Sequence, residues 1–123
     1  VEFVSLQYTE NAGEEVAKAK AKHGWDISHS NEMNADLDQL FGCIAGLDLV
    51  ITVLTSNVHF AGSMNVPTWC LTPIKAPWQF CQKTMPWYPQ AQLYRQSQHG
   101  QWGDVIGRIA SDLKKLTKRQ AAE

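Results

Sequence analysis

The stretch Leu49-Val50-Ile51-Thr52-Val53-Leu54, running straight into Thr55-Ser56-Asn57, decides how the rest of the chain is read. An apolar run without alternation is what a strand covered on both faces of a parallel sheet requires, so 49–54 is expected to be the central strand. The polar triplet ends that run. Val58, His59, Phe60, Ala61, Gly62, Ser63 and Met64 then read as a short helix whose start is capped by a hydroxyl or amide side chain. A strand that feeds a helix in this way presents backbone N–H groups and the positive end of a helix dipole at the carboxyl edge of the sheet. Such a turn attracts anions.

Working outward from the central run, residues 1–8 are rich in β-formers and read as a strand. Residues 9–23, with Glu14, Glu15, Val16, Ala17, Ala19 and Ala21, read as a helix that Gly24 stops. A brief second strand at 25–28 leads to a polar loop, 29–34. From Asp36, the spacing of Leu37, Leu40, Phe41, Ile44 and Leu47 predicts a helix with one buried stripe, ending near Gly46. After Pro67, residues 68–71 read as another buried strand. Residues 76–89 form an aromatic and proline-rich loop holding Trp78, Phe80, Trp87 and Tyr88. Residues 91–95 read as a last short strand. Residues 102–116 complete the chain as a helix with Val105, Ile106, Ile109, Leu113 and Leu116 on one side. The order β-α-β-α-β-α-β-loop-β-α is that of an α/β, Rossmann-like, doubly wound parallel sheet.

With 123 residues, the chain is expected to form one domain, 1–123. The formal net charge of −1 and the scattered Lys and Arg give no basic stripe, which argues against nucleic acid as a partner. Three cysteines, Cys43, Cys70 and Cys81, lie far apart without CxxC spacing or a completing His pair, so neither a zinc site nor another cofactor is expected. Reduced, buried thiols in a cytoplasmic protein are the expectation. No apolar stretch reaches the roughly 20 residues that span a bilayer. Starting at Val1, inside an expected strand, the sequence reads as a piece of something longer.

In an open parallel sheet, ligands bind beyond the carboxyl ends of the strands. Those ends fall at Gln7 and Tyr8, at 28–30, at 54–57 and at 72–75, so that Gln7, Thr55, Ser56, Asn57, His59 and Lys75 are the candidate binding residues. Each also has a plainer reading. The hydroxyl-rich turn is an ordinary helix cap, His59 is a packed or surface histidine, and the aromatic loop seals the edge of the sheet.

The run from Leu47-Asp48-Leu49 through Thr55-Ser56-Asn57-Val58-His59 to Asn65-Val66-Pro67 resembles the signature segment of the heptosyltransferase-like glycosyltransferases, family 9, especially the versions attached to tetratricopeptide repeats. Ser5-Leu6-Gln7 resembles the end of that family's first strand, and Asp36-Leu37 the pair before its second helix. Trp78, Pro86-Trp87-Tyr88-Pro89, Leu93-Tyr94-Arg95-Gln96 and 102–106 resemble its closing segment. The resemblance implies the C-terminal half of a two-domain GT-B fold, the half that binds a nucleotide diphosphate sugar. By that likeness Thr55, Ser56, Asn57 and His59 hold the donor diphosphate, Gln7 faces the same cleft and Lys75 is the nearest cationic clamp. No catalytic residue is assigned to this chain, because the general base of the inverting, metal-independent reaction belongs to the N-terminal half. The implied partners are that half or, on an uncovered apolar face, a second copy. Leu54 departs from the family, which commonly has an aspartate there. The departure keeps a second reading open, a non-catalytic binding or scaffolding domain with a degenerate donor site. A sugar-nucleotide epimerase half is a third reading, which the match through 86–96 disfavours.

Overall fold

The structure, a computed structural model, describes residues 1–33 and 35–123; Asn34, the end of the expected polar loop, lies outside the described residues. The fold is mixed α/β with every strand pair parallel, in two small sheets. Two compact units divide the chain, Val1–Cys43 and Ile44–Glu123.

In the first unit, β1 (Phe3–Val4) pairs in parallel with β2 (Ile27–Ser28), and α1 (Ala12–His23) connects them. Only two residues of the expected eight-residue first strand pair; Ser5 N–H adds one bond to the Ser28 carbonyl at 2.8 Å before the chain departs. Glu14 and Glu15 in the first turn of α1 and Lys20, Lys22 and His23 in its last turn complement the helix dipole. Gly24 ends the helix with φ 70°, a left-handed conformation that glycine adopts without cost, and its N–H closes on the Lys20 carbonyl at 2.8 Å. Next in the chain comes α2 (Leu37–Ala45), in which Leu40 and Ile44 are buried. Leu37, expected in the same stripe, is exposed: it is the first residue of the helix, in line with Leu40 and Ile44 but beyond the part of the stripe that is covered.

In the second unit, β3 (Val50–Val53), β4 (Thr68–Thr72) and β5 (Ala91–Arg95) form a parallel sheet in the order β3-β4-β5. The register sets Val50 opposite Thr68, Val53 opposite Leu71 and Thr72 opposite Arg95. Within this sheet the middle strand is β4, not the run at 49–54, and Thr68, Cys70, Leu71 and Thr72 are all buried. The two faces of β3 differ: Val50 is 2% exposed, whereas Ile51 and Val53 are 39% and 48% exposed. Covering on both faces, expected from the absence of alternation, is therefore found at β4 and only on one side of β3.

After β3 comes α3 (Ser56–Ser63), and α4 (Gly103–Ala122) closes the chain. One core cluster gathers Val58, Cys70, Phe80, Met85 and Ala91, with Leu54, Tyr88 and Leu93 packed against it. A second gathers Leu71, Tyr94, Val105 and Ile109, flanked by Trp69 and Trp102. The α3 and α4 sides of the sheet thus each have their own core. Ile106, expected on the buried side of α4, is 54% exposed, adjacent to buried Val105 and therefore turned about 100° away around the helix. The aromatic loop is anchored by a short 3-10 turn, Trp78–Phe80, and by an isolated antiparallel bridge from Thr84 to Gln92.

Candidate functional site

All strands of the second sheet run the same way, so the turn after β3 and the loop after β4 share one edge. Thr55, Ser56, Asn57 and His59 lie in the turn and the first turn of α3, as expected, and exposed Lys75 lies in the loop beyond β4 on that edge. Gln7 belongs to the first unit, just beyond β1, where its N–H donates to Ser5 Oγ at 3.4 Å.

The expected side-chain cap is not made. Thr55 sits at the N-cap with extended backbone, φ −129° and ψ 177°, yet its hydroxyl pairs with Thr52 Oγ1 at 3.2 Å. The Thr55 carbonyl instead accepts the Val58 N–H at 3.1 Å. Thr52, the last residue but one of β3, thus takes up the Thr55 hydroxyl. The backbone N–H groups of Ser56 and Asn57 therefore have no partner among the described residues, and stand at the positive end of the helix.

His59 follows directly. Its Nδ1 shares a hydrogen bond with the Tyr88 hydroxyl at 3.0 Å, and the ring lies within 6.2 Å of Phe80, 6.0 Å of Trp87 and 5.7 Å of Tyr88. The Tyr88 ring is seated on Gly62, where a Cβ would fall 2.4 Å from the ring, so only glycine permits this approach. Gln90 Nε2 donates to the Gly62 carbonyl at 2.9 Å. These contacts fasten the aromatic loop to α3 and hold the imidazole ring in place. Arg95 secures the loop from the other end, donating to the carbonyls of Pro73 at 3.1 Å, Gln82 at 3.2 Å and Phe80. Its guanidinium is thus committed to main-chain oxygens.

Beyond His59, the ring centroids of Trp78 and Trp87 are 5.7 Å apart with planes at 83°, an edge-to-face pair. Trp78 is 72% exposed and Trp87 51%. Both are large apolar surfaces held open beside the α3 turn. Leu54, by contrast, is packed against the cluster of Val58, Cys70, Phe80, Met85 and Ala91. It acts as a core residue.

On the other side of the sheet, the Tyr94 hydroxyl donates to Asp112 Oδ2 at 3.0 Å; burial, aided by the Asp112 bond and charge, holds that hydroxyl well above the usual phenol range. The hydrogen bond from Lys115 and the one from Tyr94 hold Asp112 below the usual carboxylate range. The hydrogen bond from Ser97 does the same for Asp104, assisted by Arg108. Burial pushes the Cys70 thiol up to about 11. No group of His, Cys, Asp and Glu among the described residues could hold a metal ion, and no helix is long and apolar enough to cross a membrane. Sequence reasoning reached the turn and His59 but missed the Thr52–Thr55 pair and Tyr88. Nothing in the spacing of Thr52 betrays its partner, and Tyr88 reads as one aromatic among several.

Fold and site together define an α/β unit with an anion-attracting turn and an aromatic wall at one edge of a parallel sheet. Over 116 residues, 93% of the chain, the sequence is 33% identical to Protein FlbA of Caulobacter vibrioides, and it spans 19% of that protein's length. No family model matches the chain, and no solved structure matches it.

Proposed function

We propose that this chain is the donor-binding part of an inverting glycosyltransferase, a Rossmann-like, doubly wound C-terminal half that acts with a separate acceptor-binding half. The observation that carries the proposal is the turn after β3, where the N–H groups of Ser56 and Asn57 lack partners among the described residues and His59 is held alongside by Tyr88. A diphosphate leaving group gains negative charge as its sugar departs. Fixed N–H donors and a helix dipole at that point stabilise the transition state. Lys75 adds a cation on the same edge. The likeness of residues 47–67 to the family 9 glycosyltransferases supports this assignment, as do the parallel pairing of β1 to β5 within their two sheets and the strand-helix alternation. The match to a fifth of a longer protein agrees with a part that works inside a larger chain.

Ser56→Pro tests the turn directly. Proline is tolerated at the first position of a helix, and the extended backbone of Thr55 suits the residue before it. The change removes one N–H donor and leaves the fold intact. Calorimetric titration with ADP, GDP and UDP should show weak binding to the native chain, weaker by about 5- to 150-fold in the proline variant, as expected for one lost hydrogen bond to a charged ligand. Equal affinity of the two proteins would remove the turn from consideration.

A second reading has an observation of its own. Leu54, at the position where the family places an acid, packs into the core instead of facing a ligand, which favours a binding or scaffolding domain that retains the fold with a reduced donor site. On that reading the sugar-bearing nucleotides bind no better than the bare diphosphates.

A further inference from the structure

Charge is divided unevenly along this chain. With His neutral, the unit Val1–Cys43 carries eight Asp and Glu against three Lys, a formal −5, and the unit Ile44–Glu123 carries four against eight Lys and Arg, a formal +4. The whole stands at −1, so two copies meet with almost no net repulsion while their opposite units attract.

The positive charge gathers on α4. Lys114, Lys115, Lys118 and Arg119 fall within six residues, and at about 100° per residue they spread over roughly 140° of the helix. Lys115 bonds Asp112 at 2.9 Å, whereas Lys114, Lys118 and Arg119 are exposed and make no ion pair among the described residues. Arg119 stands in the last turn, where a cation complements the helix dipole; Lys114 is more than a turn before it, so the dipole does not account for it. Leu113 and Leu116, half-buried, alternate with these cations. In the first unit, Glu32, Asp36 and Asp38 are exposed and also make no ion pair among the described residues. Asp36 and Asp38 serve the start of α2, Asp36 by accepting the Asp38 N–H at 2.9 Å, but Glu32 stands outside the helix. Leu37, between the two aspartates, is 60% exposed.

We propose that two copies of this chain associate about a two-fold axis, the α4 face of Lys114, Lys118 and Arg119 on each copy meeting the acidic face of Glu32, Asp36 and Asp38 on the other. A second copy is the partner because both members of the complementary pair of surfaces belong to this one sequence. A single contact of this kind leaves one acidic and one basic face open and grows a chain of copies, whereas the two-fold arrangement closes both. It also brings Leu37 of one copy to Leu113 and Leu116 of the other, covering apolar surface inside a rim of paired charges. The proposal is independent of the donor-site reading, since none of these residues lies in the turn after β3 or in the aromatic loop.

Sedimentation equilibrium on the full chain tests this at about 0.1 M and about 1 M NaCl, where the screening length is about 10 Å and about 3 Å. The expected result is a dimer at the lower salt that weakens by about tenfold or more at the higher, and by a similar factor at the lower salt in either Lys114→Glu/Lys118→Glu or Glu32→Lys/Asp38→Lys alone. Mixing the two variants should restore the dimer, because the faces that repel within each variant find their opposites in the other. All four side chains are exposed, so both variants should melt close to the native chain, and the melt is recorded alongside. A native chain that stays monomeric at about 0.1 mM in the lower salt, a dimer indifferent to salt and to both variants, or variants that fail to recombine on mixing would each overturn the proposal. A monomer that instead sediments with phosphatidylglycerol vesicles, and ceases to do so in Lys114→Glu/Lys118→Glu, would assign the basic face to lipid and overturn it equally.

Discussion

At Leu54, a residue expected to matter to the ligand proves to matter to the core. Its half-buried side chain packs against the core cluster of Val58, Cys70, Phe80, Met85 and Ala91, so an acid introduced there meets apolar neighbours on the inner side. Leu54→Asp is accordingly expected to lower stability by about 1–3 kcal/mol, the usual loss when a polar group is buried without a partner. A urea titration read by circular dichroism checks this. If the Asp variant were as stable as the native chain, the carboxylate would have to lie in solvent at the mouth of the turn, and the degenerate-site reading would lose its ground. Thr55 teaches the same lesson in reverse. A hydroxyl or amide cap is expected from the triplet 55–57, but Thr52 takes the hydroxyl of Thr55, the residue at the N-cap, and the N–H groups left open make the turn a better anion site than a capped helix would be.

Among the elements, β5 and α4 carry the clearest dependence on pH, because the buried Tyr94 reaches from the strand to Asp112 on the helix. The Tyr94 hydroxyl is held above the ordinary value of about 10, so its contribution is complete below that pH and is lost as pH rises above it. Asp104 and Asp112 are held below the ordinary value of about 4, so what they contribute is present above that pH and is lost as pH falls beneath it. The melting temperature should therefore be flat between these limits and fall on both sides. Tyr94→Phe is expected to shallow the alkaline fall, which an unchanged profile above pH about 10 would refute. At this scale the sequence was informative in proportion to length and burial. The order of elements was legible throughout, and 91–95 was found to the residue, because each pattern is set by local periodicity. The two-residue pairing of β1 was not legible in a run of eight β-formers, since strand ends depend on which neighbour supplies the partner. The exposure of Ile51 and Val53 was hidden for the same reason: an apolar run states what a strand can bury, and the layers around it decide what it does bury.

At the scale of the whole molecule, the two units differ in what holds each of them. The first is built on a parallel pair two residues long and on α1, whose buried residue is Ala12. In the second, the middle strand β4 is bonded on both sides, with core clusters around Val58, Cys70 and Met85 and around Tyr94, Val105 and Ile109. Amide hydrogens exchange through the cheapest opening that exposes them, and openings cost more where ladder bonds and buried apolar contacts must break together. The amides of Trp69, Cys70, Leu71 and Thr72 are therefore expected to be the slowest in the protein, with those of α3 near His59 intermediate and those of Phe3, Val4, Ile27 and Ser28 early. Hydrogen exchange followed by mass spectrometry on peptides from each unit measures the order. Because the Ser56 and Asn57 amides have no partner among the described residues, they should exchange freely in the unliganded protein and slow on addition of a nucleoside diphosphate, while β4 changes little. Slowing confined to peptides elsewhere would place the ligand away from the turn after β3. Protection of the first unit equal to that of β4 would show that its short strands open only with the whole protein.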